Sequence, residues 1–259
     1  IARMNLLLHG VEDFKVVRAD TLRSPAFYEG DKLATFDCVI ANPPFSLEKW
    51  GEDTWPSDRW GRNNLGGTPP RKYGDWAWVQ HMNASMAPKT GRIAVVLPQG
   101  ALFRQGAEGK IRSAFLKADL IDAVIGLAPN LFYGTGLAAA IVILRAEKPA
   151  ARQGKVLVIN GETLFKKGRN QNTLETEHAQ RLLELYEGFG DVEGLSAVAS
   201  LEDIAANNDN LNIPLYVAPA PDEDALTLDE ALDQLAKAHE AARVTRAELD
   251  RQLAEWGLA

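Results

Sequence analysis

Cysteine is nearly absent from this 259-residue chain: Cys38 stands alone, which excludes an internal disulfide and a cysteine-built zinc site. Long apolar runs are absent as well. The longest candidates, such as Leu137–Leu144, fall far short of the roughly 20 residues a membrane helix needs and read as strands. The N-terminus lacks the ordered basic, apolar and small-residue sections of a signal peptide, so a cytoplasmic setting fits best. His9, His81, His178 and His239 lie on separate segments, with no pairing that suggests metal ligands. Positive charge is in deficit: 28 Lys and Arg against 35 Asp and Glu give a net charge of −7. A protein that holds DNA unaided normally shows a basic face, because phosphate neutralisation supplies most of the affinity. The deficit argues against an autonomous DNA-binding module, but not against an enzyme held on DNA by a partner. An initiator methionine is missing too. The chain opens Ile1-Ala2-Arg3-Met4 inside an amphipathic pattern (Ile1, Met4, Leu7, Leu8) and reads as cut from a longer one.

What is present is ordinary for a globular protein, with 46% hydrophobic and 24% charged residues, and the length allows one or two domains. From Ile1 to about Leu144, helix and strand patterns alternate. A first helix ends at His9-Gly10, where glycine is a natural cap. Val16–Ala19 reads as a short strand leading into Asp20-Thr21-Leu22, and Phe36–Ala41 as a buried strand running into Asn42-Pro43-Pro44-Phe45. The polar, tryptophan-rich stretch Ser46–Gly74 is too long for an ordinary connection. Beyond it the pattern gives a helix near 75–86, a strand at 93–97, a helix at 107–117 and strands at 121–125 and 138–144, with a glycine-bearing turn at Gly134–Gly136. Such alternation predicts a mostly parallel sheet with helices on both faces. Past Pro149 come a strand at 156–159, a helix at 176–187 and short docking segments at 201–205 and 211–217. Pro219 and Pro221 then break the chain before a charged helix at about 227–256. Its Leu228, Leu235, Ala242, Leu249 and Trp256 recur every seven residues, a seam suited to another surface or to its own domain. Divisions at 1–160, 161–221 and 222–259 follow, for a catalytic domain, an extension and a helical tail. Cys38, within a strand, reads as a small core residue.

Asn42-Pro43-Pro44-Phe45 carries the chemistry. Asn42 leaves a strand at its carboxyl end, where open α/β sheets place ligands. Two prolines fix φ and remove two backbone donors, so the turn offers carbonyl oxygens without competing N–H groups. The Asn42 side-chain oxygen and the Pro43 carbonyl can accept hydrogen bonds from an exocyclic amine. Phe45 can stack on a heterocycle, an interaction of roughly 1–3 kcal/mol per base. Two acceptors also draw the amine lone pair out of conjugation, so the nitrogen can attack an electrophilic methyl group in line. The bland alternative is a Pro-Pro turn ending a strand, with Phe45 in the core.

Asn-Pro-Pro-Phe resembles motif IV of the S-adenosylmethionine-dependent amino-methyltransferases. The stretches Ala2–Gly10, Ala19–Leu22, Ala41–Ser46, Gln80–Met82, Arg92–Arg112, Leu120–Gly136, Gly168–Asn172 and Asn210–Val217 narrow the resemblance to the N6-adenine modification (M) subunit of type I restriction-modification systems. The resemblance implies a Rossmann-like methyltransferase fold with a mostly parallel sheet, partial on its N-terminal side, and a C-terminal helical extension. It implies S-adenosylmethionine as cofactor, with Asp20 accepting from the cofactor's adenine amine and Thr21 offering its backbone beside that ring. The resemblance likewise implies that Asn42, Pro43, Pro44 and Phe45 form the pocket for an adenine extruded from double-stranded DNA. A specificity (S) subunit, a restriction (R) subunit and a second M subunit are the implied partners. Read from the residues alone, Asp20 is a cap or turn aspartate. The family's Gly-rich cofactor motif and its acidic ribose-binding residue are not in these residues, and Gly134-Thr135-Gly136 does not open a helix and is no substitute. The isolated chain is therefore expected to bind cofactor weakly or not at all and to be inactive.

Protein-glutamine and rRNA-guanine methyltransferases also carry Asn-Pro-Pro-aromatic turns, and a non-catalytic piece that only binds the specificity subunit is a third alternative. The basic cluster Lys166-Lys167-Gly168-Arg169 reads as a solvated loop or a phosphate contact. Trp50, Trp55 and Trp60 either flank a base or anchor their loop.

Overall fold

The computed structural model describes residues 1–218 and 228–256. Strands β1 (Tyr28–Glu29) and β2 (Lys32–Leu33) pair as a small hairpin. Six others, β3 (Cys38–Ala41), β4 (Arg92–Pro98), β5 (Ile121–Leu127), β6 (Ala139–Arg145), β7 (Lys155–Gly161) and β8 (Ser196–Ser200), form the main sheet in the order β3-β4-β6-β5-β7-β8. The helices are α1 (Ala2–Leu8), α2 (Asp75–Ala84), α3 (Ala107–Lys117), α4 (Thr176–Gly188), α5 (Leu201–Ala206) and α6 (Leu228–Glu255).

β3 and β4 are parallel, as are β5 and β7, so these four strands share one direction, and the expected parallel majority holds in that sense. β6 runs against both its neighbours, β4 and β5, and β8 runs against β7, which makes the sheet mixed. The reversal of β6 has a simple cause. A parallel crossover needs a dozen or more residues and usually a helix, whereas β5 and β6 are joined by the helix-free segment 128–138.

β5 is buried along its whole length at the centre. On one face of the sheet, Trp76, Val79, Ile111 and Phe115 from α2 and α3 pack over Ile93, Val95, Leu97 and Val142. On the other, Leu182 and Leu185 of α4 cover Ala123, Ile125, Leu157 and Ile159. Each fully buried aliphatic or aromatic side chain contributes roughly 1.5–3 kcal/mol, so the two helix layers fix the sheet and hold its carboxyl end still.

Several expectations need correction. Val16–Ala19 forms no strand, because no neighbouring strand among the described residues supplies hydrogen bonds. The strand before Asn42 is shorter than expected and half exposed: β3 has only β4 beside it, and Ile40 is 74% exposed. Cys38 lies on the same uncovered side and is exposed, not a core residue. α1 forms as expected, yet none of its residues is buried. β8 was not anticipated, since Ser-Ala-Val-Ala-Ser carries little apolar contrast.

β8, beyond residue 160, joins the main sheet, and the chain groups into two units, Ile1–Pro219 and Ala220–Ala259. The second unit holds α6, whose heptad residues Leu228, Leu235 and Leu249 are all exposed. The expected break at Pro219 and Pro221, and the helix start at Thr227, lie outside the described residues. No described helix is long and apolar enough to cross a membrane.

Candidate active site

Asn42 follows β3 directly, at the carboxyl end of the co-directional strands. Pro43 is buried, Phe45 half-buried, and Asn42 and Pro44 exposed. Among the described residues, neither the Asn42 side chain nor the Pro43 carbonyl has a hydrogen-bond partner, so both acceptors are free. The turn ends at Ser46, a non-glycine residue held in the left-handed region at φ 50°. What holds it there is Asp75, in the first turn of α2, whose Oδ1 accepts the Ser46 N–H at 2.8 Å.

Asp75 has a 1% exposed side chain, and Arg104 pairs with it. Arg104 also donates to Glu108 at 2.7 Å and lies 4.0 Å from the Tyr73 ring centre. Burial raises the Asp75 carboxyl above its usual range, against the Ser46 hydrogen bond and Arg104. Burial pushes Glu108 up to about 7, against the same guanidinium. Two buried acids thus share one cation behind the turn.

The opposite wall comes from segment 128–138, at the carboxyl end of β5. The Phe132 and Phe45 rings meet edge to face, 5.9 Å between centres at 72°. Between the walls lies a cavity of about 450 Å³, lined by Asn42–Ser46, Phe132–Thr135 and Leu137. That volume is within the range of small-ligand sites. Tyr133, 94% exposed, stands at the rim. Sequence reasoning set Gly134–Gly136 aside and so missed Phe132, Tyr133 and Leu137. The signal was available: the segment leaves a co-directional strand at the same sheet end as Asn42.

Asp20 lies in a tight turn, where Oδ1 accepts the Arg23 N–H at 3.0 Å. That is the role its sequence position alone suggested. Its side chain stays 56% exposed, and it does not line the Asn42 cavity. Thr21 faces a small cavity of about 140 Å³ shared with Val39 and His81. The Thr21 and Leu22 carbonyls accept from Arg62 at 3.3 and 2.9 Å, and Arg62 is locked to Asp58 at 2.6 Å. Arg62 also donates to His81 Nδ1 at 3.3 Å, and burial holds His81 down to about 4.

The tryptophan-rich loop is fastened rather than open. Trp50 and Trp55 are buried edge to face at 4.9 Å, and Trp55 donates to Gln80 at 3.2 Å. Arg62 stacks on Trp55 at 4.0 Å, so the loop after Phe45 is tied to the Thr21 turn. Trp60 packs against Tyr28 with Arg59 above it. Among the described residues, no three His, Cys, Asp or Glu side chains gather as a metal site.

A Rossmann-like sheet with a proline-stiffened Asn-Pro-Pro-Phe turn at its carboxyl end defines a methyltransferase class. The chain belongs to the N-6 DNA methylase family, whose sequence pattern matches residues 1–225. It is 38% identical over 244 residues to the type I restriction enzyme MjaVII methylase subunit of Methanocaldococcus jannaschii, covering 90% of this chain and 41% of that protein. It is 30% identical to the HindI methylase subunit of Haemophilus influenzae, covering 86% of this chain and 50% of that protein. Among solved structures, the type I restriction-modification methyltransferase subunit from Streptococcus thermophilus aligns with a TM-score of 0.75 at 35% identity, over 84% of this chain and 45% of that one. The EcoKI M protein shares the fold, with a TM-score of 0.63 at 21% identity, over 96% of this chain and 57% of that one. The resemblance read from the motifs is borne out by these relatives. The chain spans half or less of the length of these two methylase subunits.

Proposed function

We propose that the whole protein methylates adenine N6 in double-stranded DNA as the modification subunit of a type I system. The observation that carries this reading is the pair of unsatisfied acceptors, Asn42 Oδ1 and the Pro43 carbonyl, beside Phe45 in a cavity closed by Phe132. An adenine amine donates two hydrogen bonds, which this turn accepts. The base must leave the duplex to reach it, because N6 is inaccessible within the stack. Phe45 takes the ring face, and Pro44 keeps the backbone stiff and free of competing donors.

S-adenosylmethionine, when bound, supplies a methyl group on a positively charged sulfur. The residues present suit its adenine end. Asp20 caps its turn through Oδ1, and its Oδ2 lies 3.9 Å from Arg23 Nε on a side chain that is 56% exposed, so a cofactor amine can still reach the carboxylate; Thr21 lies beside it on a turn braced by Arg62. The net charge of −7 and the exposed leucines of α6 suit a protein that borrows its DNA grip and sequence choice from a specificity subunit. A restriction subunit and a second modification subunit complete the assembly in this reading, in the cytoplasm.

The test is Asn42→Ala in the complete assembly. N6 methylation should collapse while thermal unfolding stays at the wild-type temperature, and undiminished methylation would overturn the reading. Offering DNA, rRNA and release-factor-type protein in the same assay separates adenine from the guanine and glutamine alternatives.

A further inference from the structure

A second cavity, of about 360 Å³, adjoins the Asn42 pocket through shared wall residues, and it is built differently. Its lining shares Phe132–Thr135 with the base pocket but continues to Asn130, Asn170 and Gln171. The backbone N–H groups of Gly134, Gly136, Asn170 and Gln171 have no partner among the described residues. The Thr135 hydroxyl accepts the Leu137 N–H at 3.1 Å and keeps its own proton to give. No carboxylate lines this cavity or the base pocket, in a chain with seven more acids than bases. Concentrated unpaired N–H groups with no nearby negative charge suit an anion.

Asn170 and Gln171 line this cavity, and they belong to the turn Lys167–Asn172, which follows β7. Lys166 and Thr173 close it with two backbone bonds of 2.9 and 3.0 Å. Inside the turn, a Cβ on Gly168 would lie 1.9 Å from the Gln171 carbonyl oxygen, so only glycine fits. Four hydrogen bonds fasten it to the root of the pocket wall. The Asn172 N–H reaches the Asn130 carbonyl at 2.9 Å, and its side chain the Pro129 carbonyl at 2.9 Å. The Gln171 side chain donates to the Leu131 carbonyl at 2.7 Å, and Asn130 to the Asn170 carbonyl at 3.1 Å. Lys166 is paired with Glu175 at 2.8 Å. Lys167 and Arg169, on either side of Gly168, are exposed and have no carboxylate partner among the described residues.

We propose that this cleft, with Lys167 and Arg169, binds the phosphodiester backbone of the DNA strand that carries the extruded base. The inference rests on the adenine-pocket reading and adds a named partner group to it. The same turn that grips phosphate also braces the wall bearing Phe132, so backbone grip and pocket geometry are set by one piece of chain.

The test measures DNA binding against salt concentration in the full-length protein assembled with its partner subunits. Each phosphate contact adds about 0.9 to the slope of log affinity against log salt. Lys167→Gln with Arg169→Gln should therefore lower the slope by about 2, equally for cognate and unrelated duplexes. The ratio of wild-type to variant affinity should shrink about tenfold between 50 and 200 mM salt. Lys167→Arg with Arg169→Lys keeps both charges and should keep the slope. A slope unchanged in the glutamine variant overturns the proposal, even where adenine methylation proceeds. A reduced slope supports it, even where methylation of adenine fails and the base-pocket reading falls.

Discussion

Asp75 is the group through which the Asn42 turn is anchored to the helix behind it, and removing it should separate catalysis from folding. A non-glycine residue in the left-handed region costs of order 1–3 kcal/mol, and Ser46 is one, at φ 50°. The hydrogen bond it donates to the buried carboxylate, at 2.8 Å, is charge-assisted and contributes roughly 1.5–3 kcal/mol. The two are matched, so without the carboxylate the strain stands unopposed and the turn relaxes. Asp75→Ala also leaves Arg104 with Glu108 alone. Breaking a buried pair costs about 3–5 kcal/mol, and the surviving Glu108 contact puts the loss near the lower end. Asp75→Asn keeps an acceptor for Ser46 and should lose less. Thermal unfolding gives the stability term. Single-turnover methyl transfer by the folded assembly gives the other, where a misplaced turn should lower the rate at least tenfold, about 1.4 kcal/mol, while DNA affinity holds. The order wild type, Asn, Ala in rate is the expected result. An alanine variant as fast as wild type per folded molecule refutes the reasoning.

Two buried titrating groups give opposite pH dependences. His81 is held down to about 4 from 6.5, so the unfolded chain binds the extra proton between those values, and its contribution is present above 6.5 and lost as pH falls toward 4. Glu108 is pushed from 4.5 up to about 7, so the folded chain keeps the extra proton, and its contribution is present below 4.5 and lost as pH rises through 7. In wild type the two offset across their shared range. In Glu108→Gln stability should climb from pH 4 to 6.5 by as much as about 3 kcal/mol, and identical melting profiles for the two proteins would exclude this account. Gly66→Ala places a Cβ 2.4 Å from the Ile111 Cα at φ 88° and should cost about 3 kcal/mol in thermal unfolding. Leu235→Asp with Leu249→Asp on α6 should abolish co-purification with the specificity subunit, and unchanged recovery would remove α6 from the interface.

Much of the fold was legible because its strong signals are local. α3 begins and ends where its apolar spacing and Gly106 place it, and the Ile121 and Val156 runs became β5 and β7. Val16–Ala19 and Cys38 misled because a run of apolar residues reports a wish for burial, not the presence of a neighbour to provide it. The site was half legible. Asn42–Phe45 announces itself because two prolines beside an amide and a ring are rare and chemically pointed. Phe132 does not, since its meaning comes from β6 reversing direction, which brings segment 128–138 across the sheet end to face Phe45. Nor does Asp75, an ordinary first-turn acid until Ser46 is seen to need it.

A turn that loses two of its donors to proline has little with which to brace itself. The prolines that leave the Pro43 carbonyl and the Asn42 amide free for a substrate also remove the N–H groups that would otherwise tie the loop to its surroundings. Support must then come from outside the turn, and each working segment has one borrowed brace. Asp75 of α2 fixes Ser46, Arg62 of the tryptophan loop fixes the Thr21 and Leu22 carbonyls, and Gln171 and Asn172 fix the root of the Phe132 wall. None of these braces lines the Asn42 cavity, yet each sits within a single hydrogen bond of a residue in the site or of the chain leading into it. Substitutions at Asp75 and Arg62 should therefore change rates while leaving the list of substrate-contacting atoms intact. That sets them apart from Asn42, whose own oxygen is the acceptor and whose loss no neighbouring residue can replace.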